Sequence, residues 1–327
     1  MPGLKKRLLI IGTGGLAVDL CQVILSRRRW GANIIGFLDG NAERVGEQLV
    51  KPGIIGTYDQ LAQLVEQHRV DTIVVCLEDR RSTLPIQALL DCKAMGLDIL
   101  DGHHLFEEVS GRLSIDSLRP SVLIFSTGFQ RRLTSLVSKR LLDLVVSAMG
   151  LVALIPLCVL IAALIRVDSP GPVFYRQVRV GLRGQPYMIW KFRSMRQDAE
   201  KSGPRWAQAN DPRISRIGWW LRKTRIDEFP QLVNVLRGEM SLVGPRPERP
   251  VFVQDLRTVI PYYDIRHTVR PGVTGWAQVK FRYGASQQDS HTKLQYDLYY
   301  VKNLSFLLDL KILAHTIRVM MLGEGAY

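Results

Sequence analysis

The chain has 327 residues, enough for two domains or one large one, and its formal net charge is +14. The excess is one-sided: residues 1–130 carry 14 basic and 15 acidic side chains, whereas residues 131–327 carry 30 and 15. Such a basic second part implies an anionic partner: nucleic acid, a phosphate-bearing substrate or an anionic membrane. Cys21, Cys76, Cys92 and Cys158 form no C-x-x-C pair, which argues against disulfides or zinc and fits a reducing compartment.

The opening "MPGLKKRLLIIGTGG" has too short an apolar run before its glycines for a secretory signal peptide. "RLLIIG" reads as a buried strand, and "GTGGLAVDLCQVIL" as a glycine turn opening a helix. "NIIGFLDG", "DTIVVCL" and "LDILDG" read as further strands, with a helix in "STLPIQALLDCKAM". Strands alternating with helices predict a Rossmann-like parallel sheet. Gly12, Gly14, Gly15 and Ala17 approximate G-x-G-x-x-G/A, and Asp39 ends the second strand where an acid can meet a ribose hydroxyl. A nucleotide site and a tight strand-to-helix turn both satisfy this pattern.

From Leu144 to Ile165 the sequence carries no charge. About 20 such residues suffice to cross a bilayer, and a buried core helix is the alternative. Pro156 sits inside the run, where it removes a helix hydrogen bond and bends the axis. Arg131, Arg132, Lys139 and Arg140 precede the run and Arg166, Arg176, Arg179 and Arg183 follow it. With both flanks basic, the positive-inside rule selects neither orientation. A helix that enters, kinks at Pro156 and returns satisfies both.

Beyond it, "SPGPVFYRQVRVG" and "QPYMIWKFRSM" alternate like strands, which places Lys191 and Arg193 on one face. Tyr187 and Lys191 match a Tyr-x-x-x-Lys spacing, but on an apparent strand this reads as coincidence. "PRISRIGWWLRKTRIDEFPQLVNVLRG" carries two amphipathic helical patterns. Trp219 and Trp220 suit either a membrane headgroup layer or a core aromatic pair. "LSFLLDLKILAHTIRVMML" fits an amphipathic helix on a membrane surface or against the core.

Asp227 and Glu228 lie in the most basic part of the chain. Pro230 is tolerated in a first helical turn and Gly238 is a good stop, so a helix is predicted from about Asp227 or Glu228 to Arg237. Free N–H groups there keep an Asp ionised, fit to act as a nucleophile or to bind a metal beside its neighbour. Simple helix capping is the alternative. The Pro245-Arg246-Pro247 strip restricts the backbone around one guanidinium suited to phosphate. Nucleic acid needs only the cations and gives the apolar segment no role.

In order, "KRLLDLVVSAMGLVALIPL", "DSPGPVFYRQVRVG", "WKFRSM", "KTRIDEFPQLVNVLRGEMSLVGPRPE", "RPGVTGWAQV" and "YDLYYVKNLSFLLDLKIL" cover most of the second part. This set resembles the bacterial sugar transferase family, the monotopic phosphoglycosyl transferases, and "VGPRPERP" looks most like their exopolysaccharide-associated branch. The resemblance implies transfer of a sugar 1-phosphate from a UDP-sugar to undecaprenyl phosphate, with UMP released. It implies that Asp227 is the nucleophile, Glu228 its acidic partner, and Mg²⁺ the ion that neutralises the diphosphate at the pair. Lys191, Arg246 and Asp297 match positions near the phosphates or the metal, and Arg193 is added from its strand. Pro156 matches the kink of a re-entrant membrane helix. Long members of the family carry transmembrane helices ahead of the α/β domain, whereas here the first strand begins by Arg7.

The expectation is therefore an α/β chain with four parts. Residues 1–125 form a Rossmann-like domain, 126–135 a linker, 136–166 a re-entrant helix, and 167–327 an α+β catalytic domain with interfacial helices. Expected partners are a UDP-sugar, undecaprenyl phosphate and membrane lipids at the cytoplasmic face of a bacterial inner membrane, with a homo-oligomer left open. Two other classes compete: an NAD-dependent sugar-nucleotide oxidoreductase using the Gly12–Ala17 loop, and a non-enzymatic membrane-anchored nucleotide sensor.

Overall fold

The computed structural model describes residues 6–27, 31–77, 84–118, 120–130, 133–199, 203, 211–281 and 286–322. Arg131 and Arg132 of the basic flank, and Ser82 and Thr83 of the expected "STLPIQALLDCKAM" helix, lie outside these. The chain divides into two compact units, Met1–Ser126 and Thr127–Tyr327.

The first unit alternates β1 (Lys6–Ile11), α1 (Gly15–Ser26), β2 (Ala32–Asp39), β3 (Ile54–Thr57), α2 (Leu61–His68), β4 (Thr72–Val75), α3 (Ile86–Ala94), β5 (Asp98–Asp101) and α4 (Gly102–Ser110). A short helix, α5 (Pro120–Phe125), follows. The strands form one parallel sheet in the order β3-β2-β1-β4-β5. β1 shows why its run is continuously apolar. Leu8 and Ile10 pack with α1 and α4 on one face, and Leu9 and Ile11 with α2 and α3 on the other. Gly12 has φ +103°, and a Cβ there would press on the Cys76 carbonyl at 3.0 Å, so the turn requires glycine. β3 and α2 were not anticipated. Ile54–Thr57 is only four residues long and follows Pro52 and Gly53, which read as turn.

The second unit opens with α6 (Leu133–Asp168), 36 residues that run through Pro156 as one element. Then come β6 (Phe174–Val180), β7 (Pro186–Phe192), α7 (Arg216–Lys223), α8 (Gln231–Arg237), β8 (Ser241–Val243), α9 (Pro250–Val259), β9 (Gly272–Thr274), α10 (Trp276–Lys280), α11 (Gln287–Lys302) and α12 (Phe306–Leu322). β6 and β7 form an antiparallel hairpin, and β8 and β9 a parallel pair. The expected α+β mixture is present. α7 is amphipathic, but Trp219 and Trp220 point outward, edge to face at 4.9 Å with Lys223 over both rings. They are not a core pair.

α6 is long and apolar enough to cross a membrane, and most of its apolar side chains, Met149, Val152 and Val159 among them, are exposed. Its buried side chains fall into two groups. Near its start, Lys139, Asp143 and Ser147 share one stripe at helical spacing. Lys139 Nζ donates to the Val243 carbonyl and to Asp309 Oδ2, both at 2.8 Å. Asp143 Oδ1 accepts from Leu242 N–H at 2.9 Å and Ser241 Oγ at 3.1 Å. Arg140 donates to the Val235 and Leu236 carbonyls at the end of α8. Near its finish, Ile161 and Ile165 pack with Phe192 and Leu221. Both halves of the helix are thus fastened to the same unit.

The Lys139–Asp309 pair is nearly solvent-free, with side chains 11% and 1% exposed. Removing one charge strands the other, at a cost of about 3 kcal/mol. Lys139→Met should therefore lower unfolding stability by that order, read by chemical denaturation in detergent.

Candidate active site

The acidic pair sits on a 3-10 turn, Ile226–Glu228, and not in the first turn of α8. Pro230 occupies the N-cap, so regular helix starts at Gln231, later than the sequence predicts. Arg225 enters the turn with φ +59°, a left-handed conformation uncommon outside glycine, and the turn buries both acids. Gly238, with φ +81°, ends α8 as expected.

Glu228 is the electrostatic hub. Its Oε1 accepts from Lys191 Nζ at 2.9 Å and Arg246 Nη2 at 2.8 Å, while Arg225 Nη1 lies 4.0 Å from Oε2. Burial alone would raise the Glu228 pKa, but Arg246, Lys191 and Arg225 together hold it well below the usual carboxylate range. Lys191 moves down despite its pairing, because burial, with Arg246 and Arg179 nearby, outweighs Glu228.

Asp227 behaves oppositely. The sequence argument expects helix N–H groups to keep it ionised at low pKa. Instead burial, and then the charge on Glu228, push it up to about 6, against the pull of Lys191, Arg222 and Arg246. Among the described residues no hydrogen bond or ion pair ties up its carboxylate. It lines a cavity of about 600 Å³ together with Lys191, Arg222, Arg225 and Arg246.

Arg246 is presented by a fixed backbone. The Pro245 carbonyl accepts from Gly272 N–H at 2.9 Å, the Arg246 carbonyl from Arg266 Nη2 at 2.8 Å, and the Pro247 carbonyl from Arg179 Nη1 at 3.1 Å. Glycines at 244 and 272 let β8 and β9 approach so closely that a Cβ on either would run into the facing backbone.

Asp297 reaches the same cavity from α11 and pairs with Arg266 at 2.8 Å. Burial pushes its carboxyl up to about 6, against Arg266. Arg266 therefore links Asp297 to the backbone of Arg246, a role with no signal in the sequence, where it lies in an unpatterned stretch between α9 and β9. Arg193 also lines the cavity, but its guanidinium is engaged by the protein itself. Its guanidinium is buried and donates to the carbonyls of Ile165, Ser169 and Pro170 and to Ser169 Oγ, so it closes the end of α6. Strand alternation placed it near Lys191 but could not reveal that helix terminus. The Tyr187 hydroxyl is buried and finds no hydrogen-bond partner among the described residues.

No cluster of three or more His, Cys, Asp or Glu side chains suited to a metal occurs among the described residues. The donor set nevertheless fits Mg²⁺, which is commonly held by one or two carboxylates plus substrate phosphates and water. With Oε1 of Glu228 occupied, the oxygens of the pair that would bind it are those of Asp227 and Glu228 Oε2, the latter with Arg225 Nη1 4.0 Å away.

In the first unit, Gly12, Gly14 and Gly15 form the turn into α1. Asp39, however, is already engaged: Oδ2 accepts from Thr13 Oγ1 and from Arg44 Nη1 at 2.7 Å, and Oδ1 accepts from Asn41 N–H at 2.9 Å. A ribose hydroxyl would have to displace these partners.

Residues 134–323 match the bacterial sugar transferase model, more than half of the chain, and the chain belongs to that family. One relative is a UDP-N-acetylgalactosamine-undecaprenyl-phosphate N-acetylgalactosaminephosphotransferase from Aeromonas hydrophila, 39% identical over 79% of this chain and 60% of its own length. Another is a UDP-glucose:undecaprenyl-phosphate glucose-1-phosphate transferase from Escherichia coli, 34% identical over 88% of this chain and 59% of its own. An undecaprenyl-phosphate glucose phosphotransferase from Komagataeibacter xylinus is 33% identical over 99% of this chain and 60% of its own. The chain thus spans about 60% of the length of these relatives.

In the metal-free protein Asp227 should be protonated below about pH 6 and ionised above it. Carboxyl difference infrared spectroscopy should show that band, and Asp227→Asn should remove it. Because Lys191 favours the charged form, Lys191→Met should move the transition to higher pH.

Proposed function

We propose that this chain transfers a sugar 1-phosphate from a UDP-sugar to undecaprenyl phosphate through a covalent intermediate on Asp227. The observation that carries this reading is a carboxylate left unbonded in a cationic cavity, beside a second carboxylate locked by Lys191 and Arg246. An Asp oxygen attacks the β-phosphorus of the donor, and the bond from that phosphorus to the oxygen bridging to the α-phosphate breaks. UMP leaves, and the sugar phosphate remains on Asp227 as an acyl phosphate. A phosphate oxygen of undecaprenyl phosphate then attacks the same phosphorus. The Asp carboxylate departs and the lipid-linked sugar diphosphate forms.

Lys191 and Arg246 stabilise the negative charge that builds on the phosphoryl oxygens, the main contribution a protein makes to this chemistry. Mg²⁺ held at Asp227 and Glu228 would neutralise diphosphate charge. A covalent route lets a water-soluble donor and a lipid acceptor use one site in turn. The names of the relatives divide between glucose and N-acetylgalactosamine, and one is an exopolysaccharide production protein from Rhizobium leguminosarum. The step therefore starts a membrane-linked glycan such as an exopolysaccharide.

The arrangement of α6 supports a re-entrant helix at the cytoplasmic face of the inner membrane. Lys139 and Ile165 are 26 residues apart, about 39 Å on a straight axis, against a hydrocarbon core of about 30 Å. A crossing helix would set these two on opposite sides, yet both pack into one unit. Pro156 removes the N–H that would bond Val152 and so supplies a place to turn.

With Mg²⁺, undecaprenyl phosphate and a panel of UDP-sugars, the purified protein should release UMP from at least one donor. Without acceptor, label from a β-³²P donor should stay on the wild type and not on Asp227→Asn. No UMP from any donor with folded protein refutes the reading. Single cysteines at Arg140 and Val167 should both react with an impermeant thiol reagent from the cytoplasmic side only, and labelling from opposite sides refutes the re-entrant helix.

A further inference from the structure

Asn234 is fully buried in the middle of α8, a position where an amide is costly unless its polar atoms are bonded. Here they are. Nδ2 donates to the Met188 carbonyl at 2.7 Å and to Glu239 Oε2 at 2.6 Å, and Oδ1 accepts from Trp190 N–H at 3.1 Å. The Asn234 carbonyl also accepts from Glu239 and Met240 N–H, beyond the end of the helix.

Met188 and Trp190 are alternate residues of β7. One edge of that strand is paired with β6, and the other presents a C=O and an N–H to Asn234. The side-chain amide stands in for one more strand residue, giving one acceptor and one donor in the register of a ladder. β7 also carries Lys191, one residue past the bonded Trp190 peptide. α8 follows directly on the turn that carries Asp227 and Glu228. The single amide therefore joins the strand that presents the ammonium to the helix behind the carboxylates. Gln, with one more methylene, would overfill this slot, and Leu would leave a strand C=O and N–H unpaired.

We infer that Asn234 is a positioning residue that fixes the separation of Lys191 from the Asp227–Glu228 turn. The assignment rests on the transferase reading for its effect on rate, but its geometric content does not. Asn234→Ala frees β7 on its outer edge. Lys191 then loses its fixed distance to Glu228, and a misplacement of about 1 Å in such a site costs roughly 10²-fold in rate.

Two measurements on the full chain in detergent test this. The first is acetylation of Lys191 by acetic anhydride without substrate, followed by mass spectrometry. In wild type the buried, paired amine should react slowly, and in Asn234→Ala severalfold faster. The second is a double-mutant cycle on UMP release. Asn234→Ala and Lys191→Met should each lower the rate, and the double variant should be no slower than Lys191→Met alone. An unchanged acetylation rate, or losses that multiply, overturns the assignment. Since acetylation needs no donor, it separates failure of this inference from failure of the transferase reading. Thermal melting checks folding, and Asn234→Ser, which keeps one hydrogen-bonding group in the slot, replaces the alanine variant where that one is unfolded.

Discussion

Glu228 joins three parts of the chain that are remote in sequence: β7 through Lys191, the 3-10 turn that holds it, and the Pro245–Pro247 strip through Arg246. A carboxylate so buried would take a proton if left alone, and a lysine so buried would lose one. Arg246, then Lys191 and Arg225, hold the charge on Glu228, and Glu228 pulls against the downward shift that burial imposes on Lys191. The charge retained on Glu228 is in turn one cause of the raised pKa of Asp227. Two adjacent carboxyls thus acquire opposite tendencies from one arrangement. One is held below the usual carboxylate range and keeps cations in place, and the other is pushed up to about 6 and has no hydrogen bond or ion pair among the described residues. Divergence of this kind lets neighbouring acids take different roles.

The long apolar helix α6 is built into the same structure. A purely apolar α6 could slide or rotate against the rest of its unit, because apolar contacts are not directional. Lys139 and Asp143 prevent this by directional bonds. They grip β8 along its length, through Ser241 Oγ, Leu242 N–H and the Val243 carbonyl, and the chain reaches Arg246 three residues later. At its other end Arg193 closes the helix one residue beyond β7, two beyond Lys191. α6 is therefore also the frame on which Lys191 and Arg246 are set. Anchoring and site geometry cannot be changed independently.

Local pattern made much of this legible. The continuous apolar run of β1, the glycines after it and the alternation in β6 and β7 each state a short-range constraint, and each element formed where expected. The first unit's remaining short elements were missed because Ile54–Thr57 offers too few residues to show a period. The start of α8 was placed too early because Pro230 fits an N-cap as well as a first turn, and only the left-handed Arg225 makes the preceding turn separate. Arg193 and Asn234 show the deeper limit. Their partners, at residues 165–170 and 188–190, are set by tertiary packing, so no window of sequence contains both sides of the interaction.

The charge imbalance shows how composition can be right for a partly wrong reason. An excess of 15 positive charges beyond residue 130 suggested anionic partners, and the cavity does collect cations. Yet several of those cations are directed at the protein's own carbonyl oxygens. Arg140 caps the end of α8, Arg193 the end of α6, Arg270 the Gly238 carbonyl, and Arg266 the Arg246 carbonyl. A guanidinium supplies up to five donors, so it satisfies carbonyls at helix ends that lack an intrahelical partner. Arg266 also pairs with Asp297, but the other three are spent on peptide carbonyls and so add to net charge while doing structural work. Lys191, Arg222 and Arg246 are set around the open carboxylate, and all three act on Asp227. Their placement, and not the total of 30, gives that part of the cavity its cationic character.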